Sequence, residues 1–176
     1  MTGSPLRIGV AELRRRPGNQ AEVRRVVQLG GVTVSSAEVP DEADVVVEVT
    51  LESLTDGVHA RGVVEVPWEG SCRRCLEPTG GVVRAPVDEI YKDHPDEGET
   101  LPLDGDTIDL GPVVHDAAVL ALPLAPLCRA DCPGPDPEQF PVGKEGGEVD
   151  EDPGTRAVDP RWAALEELRF DSGAEE

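Results

Sequence analysis

A chain of 176 residues with a formal charge of −20 and only 3% aromatic residues suits one domain with tails, and any core must be built from Val, Leu, Ile and Ala. That acidity repels phosphate backbones and excludes a general nucleic-acid coat protein. No apolar run approaches the length of a membrane span. The charge is uneven: residues 1–27 carry six Arg against two Glu, net +4, whereas residues 28–127 are net −15 and residues 128–176 net −9.

The chain opens with Pro5-Leu-Arg-Ile-Gly-Val10, a short strand candidate, followed by a turn enforced at Pro17-Gly18. Arg14, Arg15, Arg16, Arg24 and Arg25 make the only basic cluster. They read either as a solvated helix end and strand face or as contacts to RNA phosphates or a partner. Residues 32–39, 45–54, 58–68 and 81–91 read as strands. Alternation places Val45, Val47, Val49 and Leu51 on one face, and likewise Val58, Ala60, Gly62, Val64, Val66 and Trp68. Leu54-Thr55-Asp56-Gly57 is a hairpin signal between these two strands, and the short connections favour an antiparallel meander over parallel crossovers.

Residues 93–109 read as an acidic, solvated, mobile loop without the pattern of a calcium loop. A helix is expected over 113–122, with Pro112 in its first turn and Pro123 ending it. Its apolar content predicts a mostly buried helix packed on the sheet, and the lone His115 in it reads as structural. Residues 133–158 are poor in large apolar residues and read as a disordered linker. Asp159-Pro160-Arg161-Trp162 signals a docking helix over 159–170, with a charged tail at 171–176.

Four cysteines fall as two close pairs, Cys72-Arg73-Arg74-Cys75 and Cys128-Arg129-Ala130-Asp131-Cys132. Two short knuckles each supplying two thiolates suit a tetrahedral zinc ion. The 52 residues between them, 76–127, exceed the spacing of an ordinary zinc ribbon, so the fold must return the chain to the first knuckle. Inert buried thiols and a disulfide or redox pair are the competing readings. Met1 to Val10 lacks the apolar core of a secretory leader. A cytoplasmic location is therefore expected, which disfavours structural disulfides and favours metal. A site with four cysteine ligands has no open position for water, so the zinc would be structural. His59, His94 and His115 are scattered and form no catalytic spacing. Acidic pairs such as Asp104 and Asp106 could hold magnesium for a nuclease, but an acidic loop is the simpler account. No catalytic residue and no small-molecule substrate are evident.

The expected fold class is therefore α+β: an antiparallel meander or partly closed sheet, one packed central helix, a zinc knuckle at a hairpin tip and a short C-terminal helix. Residues 1–132 would form the single domain.

In its order of motifs the chain resembles the YceD family of large ribosomal RNA subunit accumulation proteins. The resemblance rests on Glu12-Leu-Arg-Arg-Arg-Pro-Gly18, Cys72-Arg-Arg-Cys-Leu-Glu-Pro78, Ile108-Asp-Leu110, Leu120-Ala-Leu-Pro-Leu-Ala-Pro-Leu-Cys128, Cys132-Pro-Gly134 and Asp159-Pro-Arg-Trp-Ala-Ala-Leu165. It covers nearly the whole chain. Many bacterial members carry a further cysteine pair after the second knuckle, where this chain has Gly134-Pro-Asp-Pro-Glu-Gln-Phe140. The resemblance implies a non-enzymatic factor supporting 23S rRNA synthesis, processing or accumulation. Its partners would be the large-subunit RNA precursor or a basic large-subunit ribosomal protein. Two other roles fit the residues alone: a zinc-stabilised adaptor for a basic partner outside the ribosome, and a metal-dependent nuclease acting on precursor rRNA.

Overall fold

Valine alternation organises the domain. Val45, Val47, Val49 and Leu51 are all buried, as are Val58, Ala60, Val64 and Val66, the arrangement expected when every second residue of adjacent strands faces one core. The computed structural model describes residues 4–139. These lie in the first of two compact units, Met1–Pro141 and Val142–Glu176. The docking helix expected over 159–170, the tail at 171–176 and most of the linker expected over 133–158 fall outside the described residues.

Eight strands and one helix follow in order: β1 (Arg7–Gly9), β2 (Gln20–Val27), β3 (Ala37–Glu38), β4 (Val45–Ser53), β5 (Gly57–Ser71), β6 (Pro78–Lys92), β7 (Leu101–Pro102), β8 (Thr107–Asp109) and α1 (Gly111–Ala121). A 3-10 turn at Leu13–Arg15 precedes β2. The main sheet runs β2-β4-β5-β6-β7, with β3 on the far end of β5, and β1 pairs with β8 in a separate two-stranded sheet. The turn between β4 and β5 closes through the Leu54 N–H and the Gly57 carbonyl at 2.9 Å, as its sequence predicts. β5 and β6, 15 residues each, form a hairpin in register from Gly57↔Lys92 to Ser71↔Pro78. Its far end extends past β4, which stops pairing at Glu65.

α1 packs against β5 and β6. Val113, Val114 and Ala118 are buried beside Ile8, Ile108 and Leu110, so the core lies between the inner face of the sheet, the helix and the β1/β8 pair. Tyr91 on β6 is the largest fully buried side chain. Its hydroxyl donates to the Asp109 carbonyl at 3.0 Å and ties β6 to β8. Burial, with the nearby Glu89 and Asp109 charges after it, holds this phenol protonated well above its ordinary range. The Asp109 carboxylate accepts from the Gly111 N–H at 2.8 Å and satisfies a donor at the helix start.

Several expectations need correction. β2 has no counterpart among the strands read from sequence. Residues 32–39 form a tight reversal, with the Val39 N–H donating to Val32 and the Val34 N–H to Ala37, and only Ala37–Glu38 is strand. The acidic segment 93–109 is not a solvated loop throughout. It contains β7 and β8, buries Leu103 and Ile108, and its Asp93 and Asp106 both pair with Arg14. β7 pairs with β6 in parallel, and among the described residues the main sheet is open, not partly closed. α1 is amphipathic and not mostly buried: His115, Asp116 and Leu120 face solvent, and Leu120 is 85% exposed.

Outside its two pairs with β7, the outer edge of β6 has no strand partner among the described residues. The Lys92 carbonyl accepts from Leu103 on that side. Alternation puts Pro86 on the same side, where a missing N–H removes no ladder bond and discourages pairing with a further strand.

The close approach of β4 and β5 depends on a glycine. A Cβ on Gly62 would overlap the Glu48 carbonyl oxygen and come within 2.6 Å of the Val49 Cα. Both are backbone atoms that no rotamer change can move aside. Gly62→Ala is expected to destabilise the domain by about 1–3 kcal/mol, the usual cost of overpacking, read as a lower urea midpoint with an unchanged slope.

Candidate metal centre

The first knuckle is the turn that ends the β5/β6 hairpin. The ladder closes at Ser71↔Pro78, and the Cys72 N–H donates to the Glu77 carbonyl at 2.8 Å just beyond it. Within the turn the Leu76 N–H returns to the Cys72 carbonyl at 2.8 Å, and Leu76 itself takes φ 63°. It is the one non-glycine residue in the left-handed region among those described, at a cost of about 1 kcal/mol.

The second knuckle follows α1 directly. Pro123 ends the helix, and residues 123–127 bring the chain back to the hairpin tip. Three contacts fix this return. The Arg73 N–H donates to the Pro126 carbonyl at 2.9 Å. The Ser36 hydroxyl donates to the Leu124 carbonyl at 2.7 Å. The Arg74 guanidinium reaches the carbonyls of Ala130 and Cys132 at 3.2 and 3.0 Å. A backbone turn from Cys132 to Arg129, 3.1 Å, shapes the knuckle itself.

The four sulfurs of Cys72, Cys75, Cys128 and Cys132 lie within 4.8 Å of one another. Cys72 Sγ to Cys132 Sγ is 3.8 Å, and Cys75 Sγ to Cys128 Sγ is also 3.8 Å. Each of these pairs takes one sulfur from each knuckle. All four are free thiols, far beyond the S–S bond of about 2.0 Å. A tetrahedral ion with metal–sulfur bonds of about 2.3 Å has sulfur–sulfur edges of about 3.8 Å, so the donor set fits a four-thiolate metal. Such a metal would be held by all four cysteines and would leave no position open to water or substrate.

The electrostatics point the same way. The N–H of Cys75, and then that of Cys128, lower the Cys72 thiol to about 6 against the opposing effect of burial. The Cys132 side chain, and then burial, push Cys128 up to about 12. At Cys75 the Glu77 N–H pulls downward but is outweighed by burial and the neighbouring thiols, and the net shift is upward. One thiolate therefore forms readily and the next is opposed by it. A cation at the centre removes that opposition and allows all four to ionise.

The basic residues singled out from sequence do not gather into one patch. Arg14 is held by Asp93 at 2.6 Å, Asp106 at 3.4 Å and the Gly105 carbonyl at 2.9 Å. Arg15 pairs with Glu12 at 2.6 Å, and Arg24 with Glu48 at 2.9 Å. Arg16 and Arg25 are exposed and make no ion pair among the described residues. Arg24 and Arg25, adjacent on β2, point to opposite faces. The candidate magnesium ligands are also engaged, Asp104 by Arg7 at 3.0 Å and Asp106 by Arg14. His59 bonds Asp88 at 2.6 Å and with Arg61 holds that carboxyl below its ordinary range. Sequence reasoning missed Arg74 and Ser36 as struts. Arg74 had a weak signal in its place between two cysteines, and Ser36 had none.

A family model described as "Large ribosomal RNA subunit accumulation protein YceD" matches residues 60–169, a span that includes both knuckles. Among curated proteins, the uncharacterized protein Rv2926c of Mycobacterium tuberculosis is 34% identical over 175 residues, covering 94% of this chain and 82% of the relative. The uncharacterized protein Mb2951c of Mycobacterium bovis matches to the same extent. The uncharacterized protein ML1660 of Mycobacterium leprae is 28% identical, covering 94% of this chain and 78% of the relative. No solved structure matches the chain.

Arg74 spans the two knuckles without touching the metal position, so it positions the ligands. Arg74→Ala is expected to keep the fold but to weaken metal retention by about tenfold, the scale of outer-shell losses, measured by competition with a chromophoric chelator.

Proposed function

We propose that this chain, which belongs to the YceD family, is a non-enzymatic factor that supports the accumulation of large-subunit ribosomal RNA through binding. The observation that carries this reading is the family match across both knuckles. The four-cysteine cluster supports a structural metal, because four protein ligands leave nothing for chemistry. Zinc is the ion best suited to four thiolates in tetrahedral array. The carboxylates that would have served a magnesium nuclease are tied to arginines, which removes the support for that alternative.

The direct partner in this reading is a basic protein of the large-subunit precursor and not naked RNA. A body at net −20 repels phosphates, and three of the five arginines first considered for RNA contact are engaged in ion pairs within the chain. Complementary charge steers such a partner in and makes association weaken with salt. Among the described residues no helix is long and apolar enough to cross a membrane.

Two outcomes are expected. Protein purified without chelator should carry one zinc per chain, and Cys75→Ser should lose it and lower the cooperative melting of the whole domain. Metal-free yet fully folded protein would contradict the site. Deleting the gene should reduce mature large-subunit RNA relative to small-subunit RNA, read on denaturing gels. An unaltered ratio, with no co-sedimentation at low salt, would favour an adaptor role outside the ribosome.

A further inference from the structure

Five large apolar side chains are exposed among the described residues, and three of them lie toward the knuckle end of the molecule: Leu76 at 72%, Leu124 at 74% and Leu120 at 85%. Leu76 lines a groove beside the 33–38 reversal, together with Val34, Ser36 and Arg73, in a concavity of about 490 Å³. The Leu124 backbone adjoins it through Ser36, which donates to the Leu124 carbonyl. Leu120 lies in the last turn of α1, before the chain turns extended at Leu122. Leu76 is also the residue in the left-handed region. Glycine takes that conformation without strain, so a leucine held there with its side chain in water is an exception that stability does not explain.

The charge at this end differs from the rest. The described residues carry twelve basic against twenty-five acidic side chains, whereas residues 69–77 carry two of each sign and residues 120–132 one of each. Arg73 is exposed and makes no ion pair among the described residues. The groove itself is lined by Glu38 and Glu69 against Arg73, so its charge favours an occupant that brings positive side chains. The leucines offer no aromatic platform for bases, which disfavours single-stranded RNA. The net charge of −20 opposes a second copy of the chain.

We infer that the groove between the first knuckle and the 33–38 reversal is a docking surface for an apolar segment of a basic protein, anchored on Leu76 with Leu124 at its margin. The identity of the occupant rests on the basic-partner reading given above. The metal site holds the two leucines in register, because Leu76 follows Cys75 directly and Leu124 lies four residues before Cys128.

The test uses the full chain in cells. Benzoylphenylalanine is placed at position 76, at position 124 and, as a control, at position 26 on β2, where Val26 is also exposed. Light-induced adducts from positions 76 and 124 to a protein of net positive charge, absent from position 26, are expected. Adducts to RNA, to a second copy or to nothing would overturn the inference, as would equal adducts from position 26. Leu76→Gly provides the second arm, because it relieves backbone strain while removing an anchor. Its Tm and metal content should stay at or above those of the parent, while its capture of the cross-linked partner falls by about tenfold, the scale of a central anchor. Undiminished capture would overturn the docking role of Leu76. The RNA ratio of the deletion strain reads the ribosomal role separately, so failure of that role and failure of this surface are distinguishable.

Discussion

The convergence of two cysteine pairs separated by residues 76–127 is the constraint on which the rest of the domain depends. Sulfurs 3.8 Å apart across the knuckles require β6, the segment through β7 and β8, and α1 to form a closed circuit. Any change in the length of β6 or in the packing angle of α1 would carry Cys128 and Cys132 away from Cys72 and Cys75. A metal in this cluster closes a loop of more than fifty residues, and loop closure limits the unfolded chain most when the loop is long. A core poor in aromatic side chains has reason to use such a clamp. Its layers are mostly Val and Ala, which bury less area per residue than Phe or Trp.

Parts of this circuit were legible in the sequence because they follow local rules. The alternation in β4 and β5, the turn at residues 54–57, the hairpin-tip position of Cys72 and Cys75, and the proline-bounded helix all obey short-range periodicity or turn chemistry. The membership of the clustered ligands followed from the pairing of knuckles alone. What remained illegible depends on partners distant in sequence. β2 reads Gln-Ala-Glu-Val-Arg-Arg-Val-Val with only Val23 and Val27 buried. It is a sheet edge whose remaining side chains face water, so no period of two marks it. The segment 93–109 has the composition of a loop, yet Leu103 and Ile108 are buried against elements far away in the chain. The apolar content of α1 suggested burial all round, but only one face meets the sheet.

The arginines show the same limit. Arg14, Arg15, Arg16, Arg24 and Arg25 are a cluster only along the chain. In the folded domain Arg14 turns to Asp93 and Asp106, whereas Arg24 turns to Glu48 on the outer face of the sheet. Exposed pairs of this kind contribute little stability each. Arg14 is the exception in kind, with a side chain only 25% exposed and three acceptors drawn from one acidic segment. It fastens the 93–106 segment against the 3-10 turn, so its charge is satisfied internally before any partner arrives.

The proposed contact with a basic or mixed-sign assembly would draw on a physical separation of signs. Long-range attraction depends on the net charge of the body and is screened over about 8–10 Å at physiological ionic strength. Short-range fit depends on what remains when water is removed, and there an unpaired carboxylate is costly. The knuckle end comes nearer the second requirement because Glu69, Glu77 and Asp131 are matched in number by Arg73, Arg74 and Arg129 and Leu76, Leu120 and Leu124 stand exposed beside them. The broad acidic surface meets the first. Placing the two on different parts of one domain lets the four-cysteine end expose leucines without making the whole protein prone to self-association, since two copies approaching by any face still bring two acidic bodies together.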